Sequence, residues 1–140
     1  MNRLMAVRSC YNTFINTERI YILQIFVYGA NTQGRHGKGA ALEAVRNHGA
    51  IYGVVGLKGQ SYGIITKELR AGYPAVTVND LDYEIDLLIQ CANDNPSYTF
   101  KCTPFGTGLA GFTHEQMILL FEDKDIPDNL ILPDEWLCNT

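Results

Sequence analysis

The sequence predicts an α/β fold in which strands alternate with helices around one layered sheet. Three observations lead there. An apolar, β-branched and aromatic run at residues 20–28 stops at Gly29, a long amphipathic helical pattern follows Asp80, and two glycine-rich loops each come after a strand and before a helix. With 140 residues and 46% hydrophobic content the chain suits one layered core and is short for two. Residues 20–140 are therefore expected to form the domain, with residues 1–19 as an N-terminal extension.

Residues 20–28 (IYILQIFVY) lack clean alternation, as expected of a strand covered on both faces in a mixed or parallel sheet. Past Gly37, the residues Ala40, Ala41, Ala44, Val45 and His48 recur at helical spacing, and Gly49 supplies a C-terminal stop. Residues 51–59 carry Gly53, Gly56 and Gly59 among apolar residues and read either as an irregular extended segment or as a strand with a bulge. Residues 61–66 read as a short buried strand with Lys67 at its carboxyl edge; Pro74 then makes residues 72–78 a connector. Asn79 or Asp80 caps a helix with Leu81, Ile85, Leu88, Ile89 and Ala92 on one stripe, closed by Asn95 and Pro96. Residues 98–104 form a further strand. Thr113 and Gln116 make a capping box for a short helix that buries Met117, Leu120 and Phe121, and residues 129–132 add a last strand.

The first loop, residues 29–41, offers Gly29, Asn31, Gly34, Gly37, Gly39 and Ala40 as ligand-binding positions. Small residues let the main chain approach a ligand, and a helix starting near Gly39 directs unpaired amides and partial positive charge at an anion. Arg35 and Lys38 add charge from the flank. A Walker loop would need glycine at Thr32 and Ser or Thr at Gly39, and a dinucleotide fingerprint from Gly37 would need Gly or Ala at Leu42, so neither motif is present. The second loop, residues 105–112, carries Gly106, Thr107, Gly108, Leu109, Ala110 and Gly111 without a Lys or Arg. Its contribution would come from backbone amides and Thr107, its apolar residues lining a sugar or base. Each loop by itself also reads as a tight turn. Ligands of such sheets usually sit beyond the carboxyl ends of the strands, where both loops begin.

Among loop side chains His36 titrates nearest neutrality, which suits acid–base work, although it also reads as a loop residue that only forms hydrogen bonds. Tyr28, Tyr52 and Phe112 are candidates to stack on a base and equally candidates for the core. His48 and His114 have no ligand spacing to each other or to the cysteines, so no metal site is expected. Cys10, Cys91, Cys102 and Cys138 contain no C-x-x-C pair and read as reduced thiols. The net charge of −4 gives no basic field for a nucleic-acid polymer. Residues 4–7 are too short a run for a secretory signal, and the apolar run at 20–28 is far below a membrane span, so a cytoplasmic protein is expected.

Taken together, residues 27–41 (VYGANTQGRHGKGAA), 49–67 (GAIYGVVGLKGQSYGIITK) and 105–112 (FGTGLAGF) resemble a compact macro-domain-like family common in bacteriophages and prophages. The resemblance runs over roughly residues 22–136. More distantly, the chain is similar to the macro-domain branch that removes terminal ADP-ribose from proteins and to ADP-ribose-1''-phosphate phosphatases. The resemblance implies a three-layer α/β/α fold with a mixed sheet, and an ADP-ribose-like nucleotide whose diphosphate and distal ribose are clasped by the two loops. It places Lys67 where the glycohydrolase branch has the lysine that attacks the anomeric carbon, and Asn31 near an asparagine that orients a ribose hydroxyl, while Lys67 also reads as a surface lysine at a strand end and Asn31 as a turn-forming residue. Where that branch has an aspartate after Gly-x-Gly-Leu, this chain has Ala110. The Gly-Asp pair that reads the adenine amine is not evident before the first loop.

The expected function is binding of ADP-ribose or a related NAD-derived nucleotide with hydrolysis of a derivative, either ADP-ribose-1''-phosphate or an ADP-ribosylated protein. His36 and Lys67 are the catalytic candidates, and no cofactor is expected. The alternative is a non-catalytic module that reads or sequesters such a nucleotide, which needs only the loops. A third reading makes the loops mere turns of an interaction protein.

Overall fold

The computed structural model describes residues 5–10 and 23–137; residues 20–22 of the expected first strand, most of the expected extension and Cys138 lie outside them. Among the described residues the chain runs β1 (Val7–Ser9), β2 (Leu23–Asn31), α1 (Gly39–Asn47), β3 (Val54–Lys58), β4 (Ser61–Lys67), α2 (Val78–Asp94), β5 (Tyr98–Cys102), α3 (His114–Glu122) and β6 (Leu130–Ile131), then a 3₁₀ turn at Asp134–Trp136. The strands form one mixed sheet in the order β1-β3-β4-β2-β5-β6. β4, β2, β5 and β6 run parallel, β3 is antiparallel to β4, and β1 is parallel to β3.

The alternation of β2 explains why its sequence has no polar face. Ile25 and Val27 enter the core shared with α2 and α3, whereas Phe26, Tyr28 and Ala30 pack with Ala40, Ala41 and Ala44 of α1 on the opposite face. The fold is thus three-layered, α/β/α, as expected. On one face, Leu81, Ile85 and Leu88 of α2 are fully buried, each worth about 2 kcal/mol of transfer free energy. Asn129 fixes the far end of that helix, its Nδ2 lying 2.9–3.1 Å from the carbonyls of Ala92, Asn95 and Tyr98.

Several boundaries differ from the sequence reading. β2 continues through Gly29 to Asn31, because its backbone still pairs with β4 as far as Lys67. The first loop is therefore shorter than the glycine count suggests. α2 starts two to three residues earlier than expected: Thr77, not Asn79 or Asp80, is the cap, and Asp80 returns the second bond of a capping box. The Thr113–Gln116 box on α3 is present. Val7–Ser9, expected in an extension, is an edge strand of the sheet, and Arg8 reaches across to Glu84 of α2 at 2.7 Å. Glu84 also accepts from the amide of Ile65, at 3.2 Å, past the point where β3 stops pairing with β4.

Candidate functional site

β4, β2 and β5 are adjacent and parallel, so their carboxyl ends emerge side by side. The chain leaves β2 toward α1 on one face and leaves β4 and β5 toward α2 and α3 on the other. Connections diverging to opposite faces open a crevice at the strand ends. It has a volume of about 820 Å³ and is lined by residues from the ends of all three strands.

From the first loop and the start of α1 the crevice takes Gly29, Asn31, Arg35, Gly37, Lys38, Gly39 and Ala40; from the end of β4, Thr66, Lys67 and Leu69; from the second loop, Gly106, Thr107, Gly108, Leu109 and Ala110. Gly34, His36 and Gly111 of the expected set do not line it. Tyr28, Tyr52 and Phe112 do not line it either. Tyr28 is buried, Tyr52 is exposed beside His36, and Phe112 packs on the core.

Two of these absences have a local cause. Gly34 has a left-handed backbone (φ 64°) and lies against Gly53, where an added Cβ would come within 2.6 Å of the Gly53 Cα. His36 points away from the crevice into the α1 layer. Its Nε2 is 2.9 Å from the Tyr28 hydroxyl, its ring tilts against Tyr52, and it is 5% exposed. Burial lowers its pKa, against a smaller opposing effect of the Gly34 backbone. Burial pushes the Tyr28 phenol up to about 12. An imidazole so placed does not line the crevice.

Asn31 lines the crevice, but its side chain is engaged within the loop. Oδ1 accepts from the amides of Gln33 and Arg35 at 3.2 and 3.0 Å, and Nδ2 donates to the Arg35 carbonyl at 2.9 Å. Its amide thus shapes the loop that carries Arg35. Thr107 likewise donates its hydroxyl proton to the Pro104 carbonyl at 2.6 Å, leaving the loop amides as the second loop's donors. Those of Gly108, Leu109 and Ala110 have no hydrogen-bond partner among the described residues.

A cross-link that the sequence did not signal ties the crevice walls together. Glu68 accepts from the Thr32 hydroxyl, from the Arg70 amide at 3.0 Å and from the Arg70 guanidinium at 2.7 Å. Arg70, and to a smaller degree the Thr32 hydroxyl, hold the Glu68 carboxyl down to about 2. The amide of Thr32 donates to the Lys67 carbonyl at 3.0 Å. Loop 1 and the residue following β4 are therefore locked, with Lys67 facing the crevice beside them.

The electrostatics of the crevice are one-sided. Arg35, Lys38 and Lys67 line it, and no Asp or Glu does. α1 begins at the crevice with Lys38 as its N-cap and no side-chain cap, whereas capping boxes close α2 and α3. The first amides of a helix have no intrahelical acceptor, so those of α1 remain available to a ligand. His48 stacks on Phe26 at 4.2 Å, and His114 accepts from the Trp136 indole at 3.1 Å. No group of three or more His, Cys, Asp and Glu able to hold a metal occurs among the described residues. No helix among them is long and apolar enough to cross a membrane.

Fold and crevice together define a three-layer α/β/α protein with a cationic site at the carboxyl ends of parallel strands. Neither a protein-family model, nor a curated protein, nor a solved structure matches the chain.

Proposed function

We propose that the crevice binds ADP-ribose or a related NAD-derived nucleotide through its diphosphate. The supporting observation is the concentration of Arg35, Lys38, Lys67 and an uncapped helix start around a site without carboxylates, in a chain of net charge −4. Such an arrangement favours a compact polyanion over a cation or a neutral sugar. About 820 Å³ lies within the roughly 300–1,000 Å³ of small-molecule sites and accommodates a whole nucleotide diphosphate sugar. Gly106 to Ala110 offer a largely apolar wall with free amides for the distal part of the ligand. The resemblance to macro-type domains supplies the choice of ADP-ribose among such anions.

Binding needs only these loops, and a module that reads or sequesters the nucleotide is the reading they favour. One observation supports hydrolysis as a second reading: Lys67 lines the crevice and so has access to an anomeric carbon. Ala110 and the inward position of His36 leave that lysine without a carboxylate or imidazole partner in the crevice. Calorimetry with ADP-ribose should give a dissociation constant on the order of micromolar, about −8 kcal/mol, weakened at least tenfold by Arg35→Ala. No heat at millimolar ligand would remove the binding reading. Turnover of ADP-ribose-1''-phosphate or ADP-ribosylated protein that Lys67→Ala abolishes at unchanged affinity would establish the second reading, and intact substrates would leave the module.

A further inference from the structure

We propose that His36 is a positioning residue that pins the first loop into the α1 layer, and that its protonation releases the loop and weakens ligand binding in the crevice. The second part rests on the nucleotide-binding reading above. The geometry begins with neighbours: Arg35 and Gly37 line the crevice while His36 between them is buried on the opposite side of the loop. The imidazole is thus the anchor of a segment whose flanking residues meet the ligand.

The anchor works only for a neutral ring. Nε2 has the Tyr28 hydroxyl at 2.9 Å; Nδ1 is buried with no hydrogen-bond partner among the described residues. A neutral imidazole has one N–H, and in the Nε2–H tautomer that proton goes to the Tyr28 hydroxyl and none is left on the buried Nδ1. An imidazolium has two N–H groups and a charge to place. The groups facing the ring are Tyr28 from β2, Tyr52 from the turn before β3 and the Gly34 backbone; α1 contributes Ala40, Ala41 and Ala44 to this layer, its Glu43 and Arg46 are exposed, and His48 stacks on Phe26. The Gly34 backbone can take up one N–H, but none of these groups is a carboxylate, so the charge of an imidazolium would remain buried without a counter-charge. Protonation therefore favours a conformation with the ring in water.

Burial lowers the pKa of His36 in the docked loop, so the docked loop binds its proton less well than the released one. Docking is at full strength above the ordinary histidine value of about 6.5 and is lost progressively as pH falls below it toward the depressed value. The ADP-ribose diphosphate stays ionised through this range, so the ligand contributes no competing titration.

The test is ADP-ribose calorimetry between pH 7.5 and pH 5 on the full chain and on His36→Gln, which keeps a neutral hydrogen-bonding side chain. The expected result is an affinity loss of about tenfold or more in the wild type and less than threefold in the variant. A flat wild-type profile, or an equal loss in His36→Gln, overturns the proposal. The loop itself is read without ligand by NMR: the Gly34 and Gly37 amides should titrate together with the His36 ring, and no longer do so in His36→Gln. Independent titration of ring and amides would refute loop release even where ADP-ribose fails to bind, so the two readings fall separately. If His36→Gln does not fold, Tyr28→Phe should raise the pH at which the loop titrates, and an unchanged midpoint counts against the anchor.

Discussion

At the scale of single residues, identical types play opposite parts in the first loop. Gly37 and Gly39 face the crevice, with no heavy atom within 4 Å of where a side chain would start, whereas Gly34 is a packing glycine. Its positive φ and its approach to Gly53 both exclude a Cβ. Gly34→Ala is expected to cost about 2–3 kcal/mol, seen as a lower urea midpoint at unchanged slope. The glycine pattern of residues 29–41 marked the loop correctly, but a glycine held by its backbone neighbour and a glycine open to ligand are indistinguishable in sequence. The same holds for Asn31, where a ribose-orienting side chain and a loop-shaping one have the same letter; three hydrogen bonds within the loop identify the second role.

At the scale of elements, the three helices divide by how their first turns are closed. Thr77 with Asp80 and Thr113 with Gln116 cap α2 and α3, which pack one face of the sheet and whose first turns do not line the crevice. α1 has Lys38 at its cap position and opens on the crevice. Lys38→Asp supplies the missing acceptor and places a negative charge at the helix start, which should stabilise the fold by about 0.5–1 kcal/mol and raise the melting temperature by a few degrees. The same change should weaken ADP-ribose binding by tenfold or more, because the carboxylate occupies the amides and repels the diphosphate. A variant both more stable and equally tight would show that the α1 start is not the anion site. The α3 box was readable from T-x-x-Q, while the α2 cap was placed late because Asn79 and Asp80 are also good cap residues and only the helix register selects Thr77.

At the scale of the whole molecule, a chain of net charge −4 gathers three cations on one crevice that no Asp or Glu among the described residues lines. Exposed charges several ångströms apart are screened as the Debye length falls from about 8 Å at physiological salt to 3 Å at 1 M. ADP-ribose affinity should accordingly fall by about tenfold between 0.05 and 1 M sodium chloride, with a smaller change in unfolding free energy. An affinity indifferent to salt would place the binding energy in apolar contacts instead. The crevice exists because α1 lies on one face and α2 and α3 on the other, an arrangement that also brings residues near positions 35, 67 and 107 to one place.

The sequence by itself determined the alternation of strands and helices, the double-sided burial of the strand before Gly29, and both glycine-rich loops. These follow from local periodicity, composition and turn chemistry, which depend on near neighbours in the chain. Tertiary structure alone decided that Val7–Ser9 completes a sheet edge, that Glu68 ties Thr32 and Arg70 together, and that His36 turns inward onto Tyr28 while Arg35 and Gly37 face out. Those outcomes depend on which partner is within about 3 Å across the fold, and a buried hydrogen bond between residues distant in sequence leaves no periodic trace along it.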